Sequence, residues 1–319
     1  MALIRWVPIR PNLTLIAWRR AMLAASLLIV AAAVLLFAVR GLNFGVDFRG
    51  GILMEVRMEQ RADLAELRNT LGGLGLGEVT LQRFGEPTDV LINIQKQEGG
   101  EAAQAQAIEK VKRALGERVE SYRRTEFVGP KVGEELKQAG IIATLLALGA
   151  IGLYVWFRFE WQFGAAALAA LLHDVIGTIG FFALTQLEFN LGTVAAVLTI
   201  AGYSINDTVV IFDRVRETMR RYRRKAMPEL LDLAINSTIS RTVLTSATTL
   251  AALIALALFG GEVIRGFSYG LIFGVLIGTY SSVGVAVPLL LYMGVRPAAL
   301  AKEKETEKAA ASRIVGKQS

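Results

Sequence analysis

The chain has 319 residues, 53% of them hydrophobic, with a mean hydropathy of +0.46 and a formal net charge of +7. That balance excludes an ordinary water-soluble domain and calls for membrane-spanning segments. Cysteine is absent and histidine occurs once, which excludes disulfides, thiolate nucleophiles and iron–sulfur ligation and leaves no basis for a histidine-built zinc site.

In chain order, a basic stretch at 1–20 leads into an apolar run at 21–39. The run is longer than a signal-peptide core and no small-residue cleavage site follows it, so a retained helix is expected. Apolar runs at 141–157, 163–185, 191–212, 241–259 and 266–294 bring the expected transmembrane helices to six. The last is long enough to tilt or to extend past the bilayer, and Pro288 marks a candidate kink that does not by itself make a hinge. Lysines and arginines then set the orientation. Arg19 and Arg20, a basic connection at 213–240 and a basic tail at 295–319 place both ends in the cytoplasm and residues 40–140 outside it. Residues 41–140 hold 14 basic and 16 acidic side chains, a balance of −2, so the positive excess of the whole chain is topogenic. Its partner is the anionic face of a lipid bilayer, and nothing in it calls for nucleic acid.

The external segment is a small domain. Alternation of Ile52, Met54, Val56 and Met58 predicts a strand over 50–58, followed by a helix over 61–71 that Gly72 and Gly73 stop. A hairpin joins 79–84 to 90–95 through an irregular turn containing Pro87, a second helix covers 101–115, and a last strand covers 119–127. Strand-helix-strand-strand-helix-strand is the ferredoxin-like α+β pattern, with both helices on one face of the sheet. Its carboxylates are scattered among basic residues as on a solvated surface, so no catalytic site is expected and the chain is read as a non-enzyme. An open sheet face or edge suits contact with another polypeptide. The segment joining the first helix to this domain contains Gly45, Gly50 and Gly51, which permit turns closed to other residues. Its Asp47 and Arg49 are read as solvated or paired within a shaped linker, in preference to a substrate-contacting loop.

Polar residues inside the apolar runs are the candidates for function. Asp207 lies within the fourth run, where a charge costs about 2.5 to 3.5 kcal/mol on insertion scales. His173 and Asp174 lie within the third, and Arg241 starts the fifth. Ser204, Asn206 and Thr208 flank Asp207 as hydrogen-bonding support. Two readings stay open. A carboxyl that alternates between a guanidinium and apolar surroundings would load and release a proton, whereas a static buried ion pair would fix the packing of the fourth and fifth helices. His173 reads as a packed imidazole bonded to a neighbouring helix, and Asp213 as solvated or locally paired beside Arg214. The four-residue spacing of Gly266, Gly270, Gly274, Gly278, Ser282 and Ala286 reads as a helix-contact stripe.

Several stretches carry a family likeness over nearly the whole chain: Asn43-Phe44-Gly45-Val46-Asp47-Phe48-Arg49-Gly50-Gly51, Val128-Gly129-Pro130-Lys131-Val132-Gly133, His173-Asp174-Val175, Gly202-Tyr203-Ser204-Ile205-Asn206-Asp207-Thr208-Val209-Val210 followed by Asp213-Arg214, and Ser240-Arg241-Thr242. In these the chain resembles the SecD/SecF family of protein-export membrane proteins, relatives of the resistance-nodulation-division transporters. Arg49 stands where some relatives carry Thr. The resemblance implies a place in the bacterial cytoplasmic (inner) membrane beside a SecD subunit and the SecYEG translocon, with auxiliary subunits such as YajC and an unfolded preprotein as substrate. It implies use of the proton-motive force, with protons as the coupling ion and no cofactor. Asp207 and Arg241 align with the family's proton-coupling positions, and Asp174 is a further candidate. Transporter sites lie between two related halves, so the second half is expected from SecD. The alternatives are an intramembrane aspartyl protease built on Asp174 and Asp207, whose GxGD-type motif is missing, and half of a proton-driven small-molecule efflux transporter.

Overall fold

The computed structural model describes residues 11–83, 85–261 and 264–296. Among them, six helices are long and apolar enough to cross a membrane: Leu15–Arg40, Lys131–Arg158, Trp161–Thr185, Leu191–Arg221, Met227–Phe259 and Arg265–Tyr292. Most of the basic tail expected at 295–319 and the first half of the 1–20 stretch lie outside the described residues.

Helix α1 (Arg19–Arg40) leads through a short α2 (Val46–Arg49) into the sheet domain. Strands β1 (Gly51–Met58), β2 (Val79–Arg83), β3 (Asp89–Gln95) and β4 (Val119–Val128) form one sheet in the order β2-β3-β1-β4, with every neighbouring pair antiparallel. This is the order that the strand-helix-strand-strand-helix-strand pattern requires. Period-two burial explains the core: Ile52, Met54 and Val56 of β1 and Ile92 and Ile94 of β3 face α3 (Leu64–Gly72) and α4 (Gly100–Leu115), which contribute Leu71, Val111 and Leu115. α3 starts at Leu64, later than the expected 61, because the Asp63 side chain caps it by accepting from the N–H groups of Ala65 and Glu66. Phe84, the expected end of the hairpin's first strand, lies outside the described residues.

The remaining elements are α5 (Pro130–Arg158), α6 (Trp161–Thr185), α7 (Leu191–Arg221), α8 (Met227–Phe259), α9 (Arg265–Ser281), a π turn over Ser282–Ala286, and α10 (Val287–Tyr292). Three expectations are corrected here. The domain expected at 40–140 ends at β4, short of 140, because Pro130 opens α5 at a position where its missing N–H removes no helical bond. The connection expected at 213–240 is largely helix: α7 continues to Arg221 and α8 begins at Met227. A helix that emerges from the apolar layer keeps its own backbone bonds while its side chains turn polar, so the end of an apolar run does not mark the end of a helix. Arg241 therefore sits well inside α8, not at its start. The sixth span runs over Arg265–Tyr292, close to the expected run, with the π turn immediately before Pro288 supplying the slack that a proline inside a helix needs.

α6, α7 and α9 form the buried centre of the bundle, with α1, α5 and α8 around them. α1 crosses α6 so closely that a Cβ on Gly180 would meet Ala33 Cα at 2.6 Å. The glycine stripe of α9 is a helix contact, as expected: Gly270 faces Phe182, Gly274 faces Ile200, and Gly278 faces Ser204.

Candidate functional site

A layer of polar side chains lies where α6, α7 and α9 meet. Asp174 of α6 is fully buried. His173 Nδ1 lies 2.9 Å from its Oδ1, and its Oδ2 accepts from Ser204 Oγ of α7 at 2.5 Å and from Ser281 Oγ of α9 at 2.7 Å. Three helices thus converge on one carboxylate. The imidazole is bonded to its own neighbour in sequence and not to another helix, contrary to expectation. Its Nε2 has no hydrogen-bond partner, and its ring lies 6.2 Å from that of Tyr280. Tyr280 in turn ties α9 to α1, donating to the Met22 carbonyl at 2.7 Å and lying 3.0 Å from Ser26 Oγ.

Asp207, one turn beyond Ser204, is differently placed. It is 4% exposed, and its Oδ2 is buried without a hydrogen-bond partner. Arg241 is exposed on α8, near enough to act on Asp207 through space but not in an ion pair with it. The expected supports serve elsewhere. Ser204 holds Asp174, Thr208 Oγ1 lies 2.9 Å from Ser282 Oγ, and Asn206 is exposed on another face of α7 because it precedes Asp207 by one residue, about 100° of helix rotation. Beyond Asp207, Val210, Asp213, Arg214, Ser237 and Arg241 line a cleft of about 420 Å³ between α7 and α8. Asp213 there pairs with Arg158 of α5 at 2.9 Å, the local ion pair that was one of its two readings.

Tyr280 and Ser281 were not among the expected site residues, and Ser282 was expected only in the helix-contact stripe, because within an apolar run serine counts as a small residue. The available signal was two adjacent serines a few residues before Pro288: the π turn that accommodates the proline starts there, and Ser281 and Ser282 face Asp174 and Thr208 respectively.

The linker around Gly45, Gly50 and Gly51 is a clamp between the sheet domain and the α6–α7 loop. Phe189 N donates to Asn43 O at 2.7 Å, Gly45 N to Phe189 O at 3.0 Å, and Leu191 N, at the start of α7, to Asp47 Oδ2 at 3.0 Å. A Cβ on Gly51 would meet Ile94 O at 2.5 Å, and one on Gly133 of α5 would meet Phe48 O at 2.9 Å, so both glycines let backbones approach. Arg49 pairs with Glu78 at 3.3 Å on the surface. Glu188 lies against Gly45 and accepts from Gln82 Nε2 at 3.1 Å. Burial first, then the nearby charge of Asp47, pushes its carboxyl above the usual range.

Comparison with known proteins gives a consistent result. The family model described as protein export membrane protein SecD/SecF, C-terminal, matches residues 107–296, and a SecD/SecF GG motif matches residues 35–60. A protein translocase subunit SecF from Rickettsia bellii is 50% identical over 251 residues, covering 78% of this chain and 82% of that one. The corresponding subunit from Rickettsia felis is 44% identical over 290 residues, covering 90% and 94%. The crystal structure of SecDF, a translocon-associated membrane protein from Thermus thermophilus, superposes with a TM-score of 0.77 at 35% identity over 90% of this chain, which spans 39% of that longer one.

Proposed function

Because the chain belongs to the SecD/SecF family of protein-export membrane proteins, we propose that it serves protein translocation as the SecF-type half of a proton-driven membrane machine whose other half is SecD. In this reading it lies in the bacterial inner membrane with both ends in the cytoplasm and the sheet domain outside. It works beside the SecYEG translocon and auxiliary subunits such as YajC on an unfolded preprotein, and performs no covalent chemistry. Protons are its coupling ion and it takes no cofactor.

The observation that carries the proposal is the buried, unpartnered Oδ2 of Asp207 beside a polar cleft that contains Arg241. A carboxyl with a free oxygen at membrane depth has room to take a proton, and the guanidinium on the next helix supplies the alternative partner when the helices shift. Each charge that crosses the field carries about 2.3 kcal/mol per 100 mV, enough over a few steps to bias a conformational cycle. Asp174, held by three hydrogen-bonding partners, serves as the fixed polar hub around which α6, α7 and α9 move, with His173 as its tether. The linker clamp connects α7 to the external domain, so a shift of α7 is felt outside the membrane.

The aspartyl protease alternative requires two carboxyls that share a proton, but the Asp174 oxygens are engaged by His173, Ser204 and Ser281, with no direct bond to Asp207. The efflux alternative has no support in the relatives, which are named as translocase subunits.

The test is late-stage preprotein translocation into vesicles containing this chain, SecD and the translocon, with and without an imposed proton gradient. Wild type is expected to gain rate with the gradient, and Asp207→Asn to lose that gain while still assembling. An equal gain in both would remove Asp207 from the coupling role.

A further inference from the structure

α1 and α5 both pack against α6, yet between them an apolar groove of about 440 Å³ opens toward the surrounding membrane. Phe37 of α1 and Ile141 and Leu145 of α5 form its walls, all three exposed, while Ile179 of α6 and Val197 of α7 form its floor. The end next to the sheet domain is closed by the rings of Phe44, Phe48 and Phe189, whose centroids lie 5.8 to 6.1 Å apart. Among the described lining residues, the one charged side chain is Lys137, at that same end. Its Nζ lies 5.5 Å from the Phe44 ring and 3.9 Å from Glu134 Oε2, and the side chain is 40% exposed.

We propose that this groove binds one acyl chain of an anionic bilayer phospholipid, with the lipid phosphate held by Lys137. From Lys137 to Leu145 the wall of α5 runs about 12 Å, most of the ~15 Å depth of one leaflet. A chain seated there would leave its headgroup level with the ammonium, which reaches the interface on an apolar stem. Charge favours a phosphate, since the Glu134 contact is a loose surface pair and the Phe44 ring holds the ammonium at the rim. A partner helix fits the site less well. Membrane helices seat on small residues that let backbones approach; of the small lining residues, Ala33 is taken up against Gly180 and Gly140 lies against Val194 of α7, while bulky Phe37, Ile141 and Leu145 form the exposed walls.

The test uses the full chain assembled with SecD in vesicles of phosphatidylcholine and phosphatidylglycerol, with a fraction of either lipid carrying a diazirine on its acyl chain. Cross-linked peptides are mapped by mass spectrometry. Labelling is expected to concentrate on the α1 and α5 segments around Phe37, Ile141 and Leu145, well above that on exposed Leu258 and Phe259 of α8. Ile179→Trp, which fills the floor, is expected to abolish the excess. Phe37→Trp, which narrows the exposed mouth, should do the same should the first variant fail to assemble. Lys137→Gln is expected to lower the preference for phosphatidylglycerol about five-fold while leaving chain labelling in place. Even labelling of α1, α5 and α8 would reduce the groove to ordinary lipid contact, and exclusion of lipid by cross-links to a SecD helix would make it a helix seat; either overturns the proposal.

Discussion

Ser281 donates to Asp174 Oδ2 at 2.7 Å from the residue at which α9 passes into the π turn, so the irregular backbone of the sixth span and the buried carboxylate of the third are one arrangement. Ser204 shares the same oxygen at 2.5 Å. Ser281→Ala is expected to lower thermal stability in detergent by about 0.6 to 1.7 kcal/mol, the range for hydrogen bonds between membrane helices. The same substitution in an Asp174→Leu background should cost almost nothing, because the acceptor is gone. A full cost in both backgrounds would mean that Ser281 acts through packing alone.

Gly180 marks a crossing where backbone meets backbone. A methyl group there has α1 backbone in its way, with Ala33 Cα at 2.6 Å, and a backbone cannot rotate aside as a side chain can. Gly180→Ala should therefore destabilise by about 1 to 3 kcal/mol through overpacking. Gly149, on the outer side of α5 with nothing within 4 Å of its Cβ position, is the control. Gly149→Ala is expected to be neutral or slightly stabilising, and equal melting shifts for the two variants would show that the α1–α6 contact adjusts freely.

Much of the fold was legible from periodicity, since a period of two in Ile52, Met54 and Val56 and unbroken apolar runs are direct consequences of which faces are buried. Helix ends were legible only in part: the expected start at 191 is that of α7, whereas Asp63 caps α3 three residues later than expected and α7 runs on past 212 to Arg221. The candidate site was legible as a set of residues out of place in lipid, which brought out Asp207, Asp174 and His173. Which of them touch was not, since the pairing of Ser204 and Ser281 with Asp174 depends on how three helices cross, which neither the serines nor Pro288 can specify by themselves. Asn206 shows the limit most simply: adjacent to Asp207 in the chain, it faces outward.

Asp89 ties the sheet domain to acid stability. Arg57 donates to it at 2.8 and 3.1 Å and Arg123 at 3.0 Å, and the Arg57 bond holds its carboxyl below the usual carboxylate range against the opposing effect of burial. A folded pKa below the unfolded one means that the unfolded chain binds more protons between the two values, so this stabilisation is present above the unfolded value near 3.8 and is lost as pH falls toward the folded value. Hydrogen exchange of the full chain should show β3 amides losing protection as pH falls below that value, after correction for intrinsic rates. Asp89→Asn should lose about 1.5 to 3 kcal/mol of local stability at neutral pH and show a flatter acid dependence. Unchanged β3 protection in the variant would show that the arginines contribute nothing there.

Glu188 has the opposite sign. It sits in the clamp between Gly45 and Gln82 with the charge of Asp47 nearby, and its carboxyl is raised above the ordinary 4.5. Between 4.5 and the folded value the native state binds more protons than the unfolded one, so stability falls as pH rises through that window. Glu188→Gln keeps an acceptor for Gln82 while removing the charge. It should therefore melt higher than wild type at pH 7, with the difference shrinking as pH drops below 4.5, where the wild-type carboxyl is already neutral. Exchange at the α7 amides after Leu191 should slow in the same variant, because the clamp holds the start of that helix through Asp47. A variant less stable than wild type at both pH values would mean that the ionised carboxylate is itself the better partner for Gln82, and that Asp47 and Glu188 do not strain the clamp.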